Sequence, residues 1–259
     1  MLKNSLYVLS AAALLVLSCE KNTVPVQDTP VTSGARVKLF HAAPEAPGVN
    51  LFVNDQKISA NTPVGATATS PGTPAPIAFG GTFPGATNAN YAVIGTAAGQ
   101  QKTVKISAPA SGTVTSETVL YNQPVTLEDN KYYTLFVAGA GTLPEVLLVN
   151  DDFSSATDNT RYYVRFINLI PGANEYDLAL SNGTVIVPKL AYKASSAFVP
   201  VDGALASNFS LRLAGTTTAV GANYNFTGST SGRVLTIVAV GIPGRTGTVA
   251  PRITGYINR

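Results

Sequence analysis

The sequence predicts an all-β protein: two tandem immunoglobulin-like β-sandwich domains behind a lipoprotein signal peptide and a tether. Three observations lead there. A strand-turn-strand pattern that begins at Val37 returns at Val164, apolar residues alternate with a period of two, and amphipathic helical periodicity is missing after the first nineteen residues. Thr, Val, Ala, Ser and Gly dominate instead, and hydrophobic residues make up 45%, enough for real cores.

The repeat is legible residue by residue. At a constant offset of 127, Val37 matches Val164, Lys38 matches Arg165, Leu39 matches Phe166, Pro44 matches Pro171, Ala46 matches Ala173 and Leu51 matches Leu178. In the first arm Val37 and Leu39 alternate with Arg36 and Lys38, and Val164 and Phe166 alternate with Arg165, so the branched residues are expected inside and the charges in water. In the second arm Val49, Leu51 and Val53 share one face, as do Tyr176, Leu178 and Leu180, with Asn50 and Asp177 opposite. Pro44, Pro47 and Gly48 in the first copy, and Pro171 and Gly172 in the second, force a turn between the arms.

The stretch from His41 to Asp55, HAAPEAPGVNLFVND, entered from a strand with basic residues on one face, resembles the opening motif of the domain-of-unknown-function family numbered 4397. The second copy keeps Pro171, Ala173 and Asp177 of it. That resemblance implies a β-sandwich module of a secreted or cell-surface bacterial protein, and the family carries no established activity.

Residues 1–18 read as a lipoprotein signal peptide. Lys3 supplies a positive start, Leu6 to Leu17 a short apolar run, and Val16-Leu17-Ser18-Cys19 resembles a lipobox. Cys19, the single cysteine, is the expected lipidation site, which sets disulfide and thiol chemistry aside and makes the membrane a partner through that anchor. Residues 19–34 then form a Thr- and Pro-containing tether that spans at most about 50 Å. With 12% charged residues, a formal net charge of +3 and no Lys or Arg run, nucleic acid is not an expected partner.

Beyond the opening motif the offset changes. Tyr91 to Gly95 resembles Phe198 to Asp202 at 107, Val104 to Ile106 is paired with Leu211 to Leu213 at the same offset, and Thr134 to Val137 resembles Thr236 to Ala239 at 102. The first copy therefore carries about twenty extra residues between Asp55 and Tyr91. The expected domains are 35–150 and 161–259, joined by a solvated linker at 151–160, each with roughly seven short strands. One Cys and no Trp rule out the antibody-type core, so the prediction is of the broad sandwich architecture, with strand order open.

Chemistry is sparse. His41, the only histidine, corresponds to Asn168 and is expected to make a local hydrogen bond rather than to act as a base or ligand. Asp151, Asp152 and Asp158 lack the Gly and terminal Glu of a calcium loop, and Glu45, Glu117, Glu128, Glu145 and Glu175 are scattered, so no catalytic residue, metal or cofactor is expected. Tyr132-Tyr133 and Tyr162-Tyr163 should each turn one ring inward and one outward, for packing between the domains. Residues 56–90, rich in Pro and Gly, read as a surface excursion in which replacement of Gly65 to Gly85 by a short link is tolerated, with Phe79 and Phe83 as its candidate binding anchors. The expected function is that of a non-enzymatic cell-envelope lipoprotein, monomeric and lipid-anchored on the outer membrane facing the periplasm or the cell exterior, presenting loops to a protein, glycan or envelope partner. The alternatives are an envelope assembly or fimbrial-type subunit and, last, a glycan-processing enzyme.

Overall fold

A computed structural model describes residues 33–59, 63–64, 73–86, 89–95, 101–112, 114–141, 144–202, 208–226 and 232–259. The signal peptide, Cys19 and the tether up to residue 32 lie outside them. Ser33–Arg259 forms one compact unit.

The first half begins with β1 (Ala35–His41), β2 (Asn50–Val53), β3 (Gln56–Lys57), β4 (Pro63–Val64), β5 (Thr73–Pro74) and β6 (Thr82–Phe83). It continues with β7 (Ala92–Ile94), β8 (Lys102–Ala108), β9 (Thr118–Val125), β10 (Tyr132–Ala138) and β11 (Glu145–Asn150). The second half holds β12 (Arg161–Asn168), β13 (Tyr176–Leu180), β14 (Val185–Leu190), β15 (Val199–Asp202), β16 (Asn208–Leu213), β17 (Tyr224–Asn225), β18 (Val234–Val240) and β19 (Arg252–Ile257). A short 3₁₀ turn, Gly247–Val249, precedes β19, and no α-helix occurs among the described residues.

Each half is a sandwich of two sheets, and the two halves share one strand order. In the first half β11-β10-β1, with β6 and β7 on the far edge of β1, lies over β3-β2-β8-β9; in the second, β19-β18-β12-β15 lies over β17-β16-β13-β14. The opening strand is interior to its sheet and parallel to the penultimate one, β1 to β10 and β12 to β18. Register repeats as well. Val37 sits beside Tyr133 and Val164 beside Leu235, which reproduces the sequence offsets of 127 and 102. Leu51 faces Ile106, however, and Leu178 faces Leu211, so the offset there is 105 and the pairing of Val104 with Leu211 read from sequence is two residues out. A slip of two keeps the same face inward, which is why alternation could not expose it.

Both cores are the ones the period predicts. Val37, Leu39, Leu51, Val53, Leu135 and Val137 pack in the first, and Val164, Phe166, Tyr176, Leu178, Leu180 and Ile237 in the second. The outer face of the opening strands departs from expectation. Lys38 is 0% exposed and Arg165 2%, because the sheet containing β1 packs face to face on the sheet containing β12. A half-buried strand was predicted; a strand covered on both faces was found, and Arg36 alone of the three charges stays partly in water.

The insertion is likewise less peripheral than its Pro and Gly content suggested. Ile77 bridges Val49, β6 pairs with β1, and the N–H of His41 donates to Gly81 O while the N–H of Gly80 donates to His41 O. Residues 75–86 thus complete a sheet edge, since β1 would otherwise leave its backbone groups unpaired there.

Candidate functional site

The surface between the two sandwiches is layered by the pleat of its strands. Phe40 and Phe136 of the first half meet Ile167, Val238 and Tyr256 of the second, and beyond them lie Ala42, Ala138, Leu169 and Val240. Adjacent to this apolar floor stands a polar level. It is formed by Lys38 and Thr134, neighbours across β1 and β10, and by Arg165 and Thr236, their equivalents across β12 and β18.

The polar level is a closed, directional network. Arg165 Nη2 reaches Asp151 Oδ1 at 2.5 Å, and Asp151 Oδ2 accepts from Thr134 Oγ1 at 2.6 Å and Tyr91 OH at 2.9 Å. Asn258, equivalent to Asp151, donates from Nδ2 to Tyr91 OH at 2.8 Å and accepts from Thr236 Oγ1 at 2.7 Å. Tyr256 OH donates to Thr134, and Arg165 Nε and Nη2 donate to Thr236. Each half thus lends a group to the other. The two halves also repeat a cation over a ring, Lys38 Nζ 4.7 Å from the Tyr91 centroid and Arg165 4.8 Å from that of Phe198, at positions related by the sequence repeat.

Charge is unequal across this near-symmetry, because Asn258 replaces a second carboxylate. Burial is the largest single influence on Arg165 and lowers its pKa, but the charge and hydrogen bond of Asp151 together with Tyr256 and Tyr91 outweigh it, and the net shift is upward. The hydrogen-bond acceptors of Lys38 among the described residues are carbonyls, Asn90 O at 2.7 Å and Gly85 O at 3.5 Å, and burial pushes its pKa down to about 8 against the opposing charge of Asp151. Burial pushes Tyr256 up to about 12, and burial with the Asp151 charge drives Tyr91 strongly upward. Both phenols therefore stay protonated donors at neutral pH.

Of the residues singled out in the sequence, His41 makes the local bond expected, Nε2 to Pro47 O at 2.9 Å, and burial lowers its pKa. Asn168 does the equivalent work, donating from Nδ2 to Leu190 O and accepting from Ile170 N–H. The linker is not wholly solvated. Asp151 is 2% exposed, Phe153 and Ala156 are buried, and Asp152 and Asp158 remain at the surface. Glu45, Glu117 and Glu145 each pair with a different cation, Arg245, Lys105 and Lys193, at separate places on the molecule.

The candidate anchors Phe79 and Phe83 are half-buried against the protein itself. Phe83 packs on the first core, and Phe79 packs on the apolar floor of the junction, where Arg252 of the second half covers its ring at 4.8 Å. Tyr133 and Tyr162 turn into the two cores while Tyr132 and Tyr163 turn to the junction, so the packing role read for these pairs holds. Among the described residues no group of three or more His, Cys, Asp or Glu side chains could hold a metal, and no helix is long and apolar enough to cross a membrane.

Two shallow clefts flank the start of the linker. One, of about 270 Å³, is lined by Lys131, Tyr132, Asp151, Phe153 and Arg259; the other, of about 300 Å³, by Asn150, Arg165, Ser195, Ser196 and Phe198. The family described as Domain of unknown function (DUF4397) matches residues 35–179, more than half of the chain. The chain belongs to that family. The DUF4397 match covers the whole first sandwich, the linker, and β12 with most of β13, so it takes in Lys38, Tyr91, Thr134, Asp151 and Arg165 together. No curated protein matches this DUF4397 chain.

The network was missed in the sequence because two basic residues alternating with apolar ones read as a wet face. A usable signal was present. Lys38 with Arg165 and Thr134 with Thr236 recur at the offsets of the strands themselves, and a solvated face gives no physical reason for both pairs to recur.

Proposed function

We propose that this chain is a non-enzymatic envelope lipoprotein, anchored through Cys19, whose fused double sandwich presents loops and sheet edges to a protein or glycan partner outside the cytoplasm. The supporting observation is the junction. The Asp151 carboxylate is saturated by three donors and the Arg165 guanidinium is spent on Asp151 and Thr236, so these charges serve cohesion and are not poised for turnover. The lipobox-like Val16 to Cys19 and the tether after it supply the reason for an outward-facing position.

The test is Cys19→Ser. It moves the protein from washed membranes to the soluble fraction with its melting transition unchanged; retention in the membranes refutes the anchor. Size exclusion of the released protein separates this reading from an assembly subunit, which elutes as a ladder.

A further inference from the structure

The two halves treat equivalent sheet edges differently. The N–H of Asp151 donates inward to Tyr132 O and that of Asn258 inward to Val234 O, so the N–H groups of the preceding residues, Asn150 and Ile257, point away from their sheets. At β19 that outward group is satisfied, because Ile257 N–H donates to Ala86 O of the first half at 3.0 Å. The residue that makes this bond, Ala86, lies three positions beyond β6, and Ala86 and Ala89 both pack against residues of the second half.

Among the described residues the second half has no equivalent of this crossing. Phe166 and Ile167 pair with Ser196 and Ser195 as Leu39 and Phe40 pair with Phe83 and Thr82. From there eight positions lead from Phe83 to Tyr91, but two lead from Ser196 to Phe198. The chain is too short to cross, and the cleft of about 300 Å³ stands beside Asn150 in its place. The cleft and the β11 edge are the counterpart of a site the molecule fills for itself on the other side.

Arg165 Nη1 donates to Asn150 O at 3.3 Å and Lys193 and Tyr192 hold Glu145 at the other end, but among the described residues the outward N–H groups of β11 lack the usual protection of an edge. β9, β14 and β15 carry Pro124, Pro188 and Pro200, β3 and β17 are two residues long, and β19 is covered by Ala86. β11 reads Glu-Val-Leu-Leu-Val-Asn, six residues without Pro, Gly or Lys, and Leu148 on it is 37% exposed.

We infer that the β11 edge and its cleft form a strand-addition site for an extended segment of a partner protein, rich in small residues as Pro84 to Asn90 is. This rests on the reading of the protein as a presenting module and specifies which edge is presented and to what. Main-chain bonds from Leu148 and Asn150 would hold the segment, and the narrow space against Ser195, Ser196 and Phe198 would admit only small side chains.

The test uses the full chain carrying Cys19→Ser and, as probe, a synthetic peptide with the sequence Phe83 to Tyr91. Saturable binding with slowed amide exchange at Leu148 and Asn150 is the expected result. Asn150→Pro, which removes the outward donor, and Ala197→Trp, which fills the cleft, each weaken binding by about tenfold or more at an unchanged melting temperature. Two variants keep the test decisive should one of them disturb folding. Absence of binding, equal binding by a peptide with Trp in place of Ala86, or indifference to both variants overturns the proposal. Protection of Leu148 that rises with protein concentration and no peptide overturns the choice of partner in favour of a second copy. Any of these can occur while Cys19→Ser still releases the protein, so the anchor reading and the edge reading fail separately.

Discussion

Asp151 and Arg165 are each meaningful only with the other half of the molecule in place. Removing one member of a buried, hydrogen-bonded pair leaves the other charged and unpaired, a loss of about 3–5 kcal/mol. Arg165→Met and Asp151→Asn are therefore expected to lower stability by that order in denaturant titrations, and the double variant by much less than the sum. Lys38 predicts a pH effect of opposite sign to the usual alkaline loss. Its folded pKa of about 8 lies below the unfolded value of 10.5, so the unfolded chain holds the proton more tightly between them. Stability then rises with pH above about 8 and is lost again as pH falls through that value. The rise must be read below pH 10, the ordinary phenol value, because Tyr91 and Tyr256 titrate higher in the folded protein and oppose it beyond that point. Melting at pH 7.5 and 9.5 should show a gain in the parent that Lys38→Met lacks; equal slopes would sink the assignment. None of this was legible at residue scale, since composition and alternation specify which side of a strand a lysine occupies but not whether water is there.

The strands themselves were far more legible than their surroundings. Leu51, Leu178 and their flanking alternation specified β2 and β13 with the correct faces, and the offsets of 127 and 102 matched β1 to β12 and β10 to β18 residue for residue, though not that β1 pairs in parallel with β10 or β12 with β18. The segment 75–86 was misread for a definite reason. Pro and Gly forbid a long inner strand, yet two residues of edge pairing, a bridge from Ile77 to Val49 and a half-buried Phe83 need none. Replacing 75–85 with a Gly-Ser link is accordingly expected to cost at least about 3 kcal/mol, measured as a fall in the unfolding midpoint, because it strips an edge and opens a core together. An unchanged midpoint would restore the surface-excursion reading.

At the scale of the whole molecule, the repeat predicted two sandwiches, and the structure joins them over the face that the sequence left to solvent. The apolar floor of Phe40, Phe136, Ile167, Val238 and Tyr256 is a core in its own right, and it adjoins a network to which both halves contribute donors and acceptors. Such coupling should make Ser33–Arg259 unfold as one cooperative unit, with calorimetric and van't Hoff enthalpies in agreement; two resolved transitions would show that the junction is weaker than either core.

The interior position of β1 has a mechanical consequence. A pull arriving through Ser33 acts along β1, whose six register pairs with parallel β10 lie alongside the line of force, with β6 and β7 gripping its other edge. Those hydrogen bonds are loaded together, in shear, and cannot be opened one after another as in a peeled hairpin. A body hung from a lipid by that end and dragged from the far loops would resist as a clamp. Its weaker direction is lateral, where β11 can be stripped from β10 one pair at a time.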